Sequence, residues 1–114
     1  MSTDSLENLR QKLREFSDAR NWEKFHSPKN LSMALSVEVA ELVEHFQWKT
    51  EHESREVQGQ QLEEVKEEVA DVLLYLLQIC NQLHINPVEA AEKKLLKNAI
   101  KYPAVEEKAR QAQG

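Results

Sequence analysis

Residues 27–48 read SPKNLSMALSVEVAELVEHFQW, and the fold turns on the period of that stretch. Ser27 followed by Pro28 is an N-cap followed by proline at the first helical position, where a missing N–H costs nothing. At about 100° per residue, Leu31, Leu35, Leu42 and Phe46 share one apolar stripe. Glu38 falls inside that stripe, and Glu41 lies one turn on, at its edge beside Ala34 and His45. A glutamate on a helix is ordinarily part of a solvated face. One centred among leucines is different, because an unpaired buried carboxylate is costly. Either a cation sits there, or the carboxyl is protonated, or the pattern misleads. A second acidic stretch favours the cation.

Composition narrows the class first. A chain of 114 residues, 40% apolar and 31% charged, with two glycines and three prolines, has room for one modest core. Long helical periods and few strand signals make it all-α. The net charge of −5, without a basic cluster, argues against a nucleic-acid polymer or an anionic membrane as partner. No apolar run approaches the roughly eighteen residues of a spanning helix. The opening MSTDSLENLR lacks a hydrophobic signal core, so a cytoplasmic location is expected. The single Cys80 sits among Leu76, Leu77 and Leu83 and reads as a core residue, not a nucleophile.

Asp4 and Glu7 resemble a capping box, opening a first helix to about residue 19 with Leu6, Leu9, Leu13 and Phe16 on its apolar stripe. Arg10, Lys12 and Arg14 lie off that stripe and are expected in solvent. Residues 21–26 (NWEKFH) are an irregular link, rich enough in rings either to plug the end of a bundle or to wall a pocket for a flat ligand. Residues 49–59 are polar and aperiodic, hence a loop. A helix from about residue 61 to 83 follows, its main stripe running from Leu62 to Leu83. Between Val69 and Cys80 apolar residues fill the opposite side too, which predicts burial nearly all round and cover from another subunit. Asn86, Pro87 and Glu89 start a fourth helix, with Val88, Ala91, Leu95 and Ala99 facing inward until Pro103. Residues 1–103 thus form one helical domain, and 104–114 a polar, frayed tail.

The chemistry gathers on two of these helices. Glu64, Glu68, Asp71 and Tyr75 run along one flank of the longest helix. Glu38/Glu41 and Glu68/Asp71 are therefore two pairs at i,i+3 spacing, each able to grip an ion. Antiparallel packing would bring four carboxylates together, where like charges about 4 Å apart repel by roughly 4 kcal/mol per pair at an effective dielectric near 20. Divalent cations relieve that repulsion, and an all-oxygen ligand set selects Mg²⁺ or Mn²⁺ over Zn²⁺. On the fourth helix Lys94, Asn98 and Lys101 make a stripe ending at Tyr102-Pro103. A lysine there is ordinarily solvated; beside an acid-held metal it is also where a polyphosphate wants a positive charge.

At this point the pattern resembles a known family. ExxE in EVAELVEHFQW, ExxD in EEVADVLLYL and KxxxNxxxYP in KLLKNAIKYP resemble the MazG-like all-α nucleoside triphosphate pyrophosphohydrolases, with WEKFHSPKNL and FQWKT pointing to the dCTP pyrophosphatase branch. The resemblance covers roughly residues 6–103. It implies a four-helix-bundle-like fold assembled into dimers or tetramers, with pockets near subunit boundaries. It also implies a Mg²⁺-dependent enzyme, Mn²⁺ being a substitute, that converts dNTPs, favouring dCTP and modified cytosine nucleotides, to dNMP and pyrophosphate. By the same resemblance Glu38, Glu41, Glu68 and Asp71 match metal ligands, and Glu41 or Glu38 would orient or deprotonate the attacking water. Lys94 and Asn98, with Tyr102 close by, match phosphate-holding residues; Trp22, His26, Trp48 and Tyr75 match the base and sugar pocket. A di-iron carboxylate bundle is disfavoured, since neither Glu41 nor Glu68 has a histidine three residues on. Broad-specificity hydrolysis, or a non-catalytic helical nucleotide-binding or interaction module, are the alternatives.

Overall fold

The computed structural model describes residues 5–106 and 112. Every regular element among them is helical: α1 (Leu6–Ala19), a 3₁₀ turn (Trp22–Lys24), α2 (Pro28–Glu44), α3 (Glu51–Arg55), α4 (Gly59–Leu83) and α5 (Pro87–Lys101). The all-α expectation holds, with α3 added to the four helices expected. No helix among the described residues is long and apolar enough to cross a membrane. Two compact units divide the chain, residues 1–84 and 85–114.

In the first unit α4 is the central element. Helices α2 and α1 both pack on it, α2 the more extensively. The end of α2 meets the start of α4, where Gln61 Nε2 donates to the His45 carbonyl, so the two helices run antiparallel. Leu13 of α1, Leu31 of α2, and Leu77 and Cys80 of α4 are the buried apolar residues; Leu31 and Leu77 are each only 1% exposed. Cys80 is thus a free, buried core thiol, as its setting among leucines predicts.

The starts of α2 and α5 follow the sequence closely. The Ser27 side chain accepts from the Asn30 N–H, with Pro28 at the first position of α2. Asn86 accepts from the Glu89 N–H and Pro87 follows it in α5. The start of α1 departs from expectation. Ser5 is its cap, accepting from the Asn8 N–H; Glu7 therefore stands one position too early for a capping box and pairs with Arg10 instead. Asp4 lies outside the described residues. The polar stretch read as a loop contains α3, held by a reciprocal capping box between Thr50 and Glu53.

Two burial expectations are corrected. Arg10, placed in solvent by its position off the leucine stripe, is 6% exposed. Its Nε donates to Asn81 Oδ1 at 3.1 Å, and the Asn81 amide returns a bond to the Arg10 carbonyl. A partner on α4 has drawn it in. In the single chain α1 and α2 cover only part of α4, and Val69, Leu73, Leu76 and Leu83 are exposed, open to the cover expected from another subunit. In the second unit no residue of α5 is buried, so the stripe of Val88, Ala91, Leu95 and Ala99 expected to face inward is open in the single chain. Most of the expected tail, residues 107–111 and 113–114, falls outside the described residues.

Candidate active site

Antiparallel packing of α2 on α4 brings the acids of the two helices to one place. Glu38 and Glu41 are neighbours on α2, one turn apart, and Glu68 faces them from α4. One carboxylate oxygen from each of the three lies within 4.8 Å of the others, and all three side chains are half-buried. Asp71, one turn beyond Glu68, is exposed, yet its charge is felt at Glu38.

The electrostatics record the strain of this arrangement. Glu68 Oε2 is shut off from solvent without a hydrogen-bond partner. Burial, then hydrogen bonding with Glu38 and Glu41 and their like charges, push the Glu68 carboxyl up to about 7. Burial also raises Glu38, helped by the charges of Glu41 and Asp71 and opposed by its hydrogen bond with Glu68. An orphaned, sealed carboxylate oxygen within an all-oxygen donor set is what a hard divalent cation would complete. The residues present fit such an ion.

Beside the acids lies a cleft of about 610 Å³, within the range of small-molecule sites. Its walls include Trp22, His26, Tyr75 and Asp71, so three of the four residues expected around a base share one cavity with one of the four expected metal ligands. The 3₁₀ turn positions the rings. Trp22 packs edge-on against Phe16 of α1 at 5.3 Å between centroids, and the His26 ring stands 5.3 Å from Trp22, tilted. Tyr75 arrives from α4 one turn after Asp71. The fourth expected residue, Trp48, is 90% exposed and is not among the residues lining this cleft.

The cleft also contains residues that sequence reasoning passed over. Leu9, Leu13 and Phe16, read only as a packing stripe, form its α1 wall, and Lys12 joins them from a position read as plain solvent. Gln78 completes the α4 side. Its position three residues after Tyr75, on the flank that already carries Glu68 and Asp71, was the available signal. Glu64, on the same flank, is exposed.

Within the second unit, Lys94 and Asn98 stand one turn apart on α5, Lys94 exposed and Asn98 half-buried. Tyr102 ends the helix by donating its backbone N–H to the Asn98 carbonyl at 2.7 Å. The Lys101 ammonium lies 5.3 Å from the centre of its ring.

Comparison with known proteins bears on this geometry. The MazG-like family matches residues 33–114. The chain is 41% identical over 103 residues to human dCTP pyrophosphatase 1, covering 88% of this chain and 60% of that protein. It is 40% identical over 101 residues to the rat protein of the same name, covering 87% and 59%. The chain thus spans about three fifths of the length of these curated relatives. A crystal structure described as a pyrophosphatase from Archaeoglobus fulgidus superposes with a TM-score of 0.80 at 51% identity, covering 87% of this chain and 93% of that one.

Proposed function

The chain belongs to the MazG-like family, and from that premise we propose that it is a metal-dependent nucleotide pyrophosphohydrolase converting dCTP and modified cytosine nucleotides to the monophosphate and pyrophosphate. The observation that carries this reading is the adjacency of two features: the cluster of Glu38, Glu41 and Glu68 built from α2 and α4, and a ring-walled cleft of nucleotide size lined by Asp71, one turn beyond Glu68.

In this scheme Glu38, Glu41, Glu68 and Asp71 hold Mg²⁺, with Mn²⁺ able to replace it, and the bound ion supplies charge neutralisation for the triphosphate. The chain's own residues do the rest. Trp22 and His26 on one side and Tyr75 on the other hold the base and sugar. Lys94, Asn98 and Tyr102 hold the phosphates. Glu41, or its neighbour Glu38, orients a water and takes its proton as the water oxygen bonds to the α-phosphorus. The bond from that phosphorus to the α–β bridging oxygen breaks, and pyrophosphate leaves with the electron pair. The exposed apolar faces of α4 and α5 support assembly into a homodimer or homotetramer. Trp48, exposed and outside the cleft lining of its own chain, is the fourth residue assigned to the base and sugar. Residues 1–103 act as a single catalytic domain in the cytoplasm, with neither nucleic-acid polymer nor membrane as partner.

The test is pyrophosphate release from the four dNTPs and 5-methyl-dCTP, with and without Mg²⁺. Metal-dependent release favouring the cytosine nucleotides is expected, together with a loss of about 10²-fold or more in Glu38→Gln that leaves the fold intact. Equal cleavage of all four would keep the chemistry and discard the base preference. No cleavage by the folded, Mg²⁺-loaded protein would leave a nucleotide-binding module.

A further inference from the structure

Gln78 is the one cleft residue with a sealed polar atom left unmatched. Its Oε1 is shut off from solvent and has no hydrogen-bond partner. Of the α1 and α4 residues lining the cleft, Leu9, Leu13, Phe16 and Leu74 carry no side-chain donor, and neither Lys12 nor Tyr75 donates to that oxygen. Leaving an amide oxygen unmatched in such a setting is costly, and native structures retain such atoms where something else supplies the partner. Gln78 also borders a second, polar recess, but at about 50 Å³ that space admits no more than a few waters. A ligand of any size reaches Gln78 only from the cleft.

The register along α4 says which part of a ligand that would be. Gln78 follows Asp71 by seven residues and Tyr75 by three, on one flank of the helix. Seven residues are about 10 Å of helix axis, comparable to the span of a nucleotide from its α-phosphate to the far edge of its base. With the phosphates at the acid end and Tyr75 midway, Gln78 stands at the far edge of the base. An unmatched acceptor there calls for a donor, and among pyrimidines the exocyclic amino group is present in cytosine and replaced by a carbonyl oxygen in uracil and thymine. The terminal amide torsion of glutamine is broad, so the oxygen can turn to a ligand at little cost.

Resting on the nucleotide reading above, we propose that Gln78 is a specificity-determining residue that selects aminopyrimidine bases by accepting a hydrogen bond from the 4-amino group. The experiment compares equilibrium binding of dCMP, dUMP and a dCMP analogue bearing hydrogen in place of the 4-amino group, alongside turnover of dCTP and dUTP. The proteins are wild type, Gln78→Leu and Gln78→Glu. Wild type is expected to bind dCMP about ten- to a hundredfold more tightly than the analogue. Gln78→Leu abolishes that difference, while Gln78→Glu, which keeps an acceptor oxygen at the same reach, preserves it. A purely structural role predicts the reverse order of damage, because a half-buried carboxylate is harder to accommodate than leucine. The proposal is overturned if wild type binds dCMP and the analogue equally, or if folded Gln78→Leu keeps its preference. Should Gln78→Leu fail to fold, loss of preference in Gln78→Glu overturns it as well. Selective dCMP binding without pyrophosphate release would sink the hydrolase reading and leave Gln78 standing. Hydrolysis of dCTP without discrimination of the analogue would do the opposite, and binding of no nucleotide would end both.

Discussion

Glu68 shows what a side chain bears when like charges are gathered around it. Its carboxyl is raised from 4.5 to about 7, burial being the largest cause and the neighbouring carboxyls the next. Between those two values the folded chain holds a proton that the unfolded chain has lost, so folding is favoured by protonation. This contribution is complete below about pH 4.5 and disappears as pH rises through about 7. The metal-free protein should therefore melt at a lower temperature at pH 8 than at pH 5.5. Scanning calorimetry on Glu68→Gln should show that difference shrink, and Mg²⁺ should recover stability in the wild type at the higher pH. A pH-independent melting temperature in the metal-free wild type would show that the three carboxyls do not strain one another. At this scale the sequence was informative: Glu38 among leucines announced the site. For Gln78 the spacing after Tyr75 was there to be read, but its unmatched oxygen is visible only once its surroundings are known.

At the scale of elements, local signals carried the reading and long-range ones escaped it. The caps at Ser27 and Asn86 need only residues three apart. The capping box that makes α3 is equally local, and Thr50 with Glu53 was there to be read within a stretch assigned to loop for want of an apolar period. Arg10 is the contrary case, for its partner Asn81 lies 71 residues away. The two contacts of Arg10 differ in worth. Glu7 is 71% exposed, so its ion pair contributes little. Asn81 accepts from both Arg10 and Arg14 and donates to the Arg10 carbonyl, stitching α1 to α4 beside the cleft. Replacing Asn81 by alanine should lower stability by about 1–3 kcal/mol, since it strands a buried guanidinium N–H. Glu7→Ala should change it by less than about 0.5 kcal/mol. Urea denaturation of the two variants measures both, and equal effects would mean that the ion pair matters more than its exposure suggests.

For the whole molecule, the apolar surface is the main departure from what a self-sufficient chain would show. Leu76 on α4 and Leu95, Leu96 and Ile100 on α5 are exposed, Ile100 to 84%. Size-exclusion chromatography with light scattering should accordingly give a particle of at least twice 13.3 kDa. Leu76→Lys should shift it towards the single-chain mass; a wild type running as a monomer at all concentrations would remove the oligomer from the scheme. The lone Cys80 gives a separate handle on the same molecule. Packed one turn from Leu77 and sealed by the core, its thiol can meet a bulky aromatic disulfide reagent only when the helices part. The labelling rate therefore counts breathing events of the protein. It should fall on adding Mg²⁺ if the ion ties the acids of α2 to Glu68 of α4, turning a core thiol into a clock for how firmly those two helices are held together.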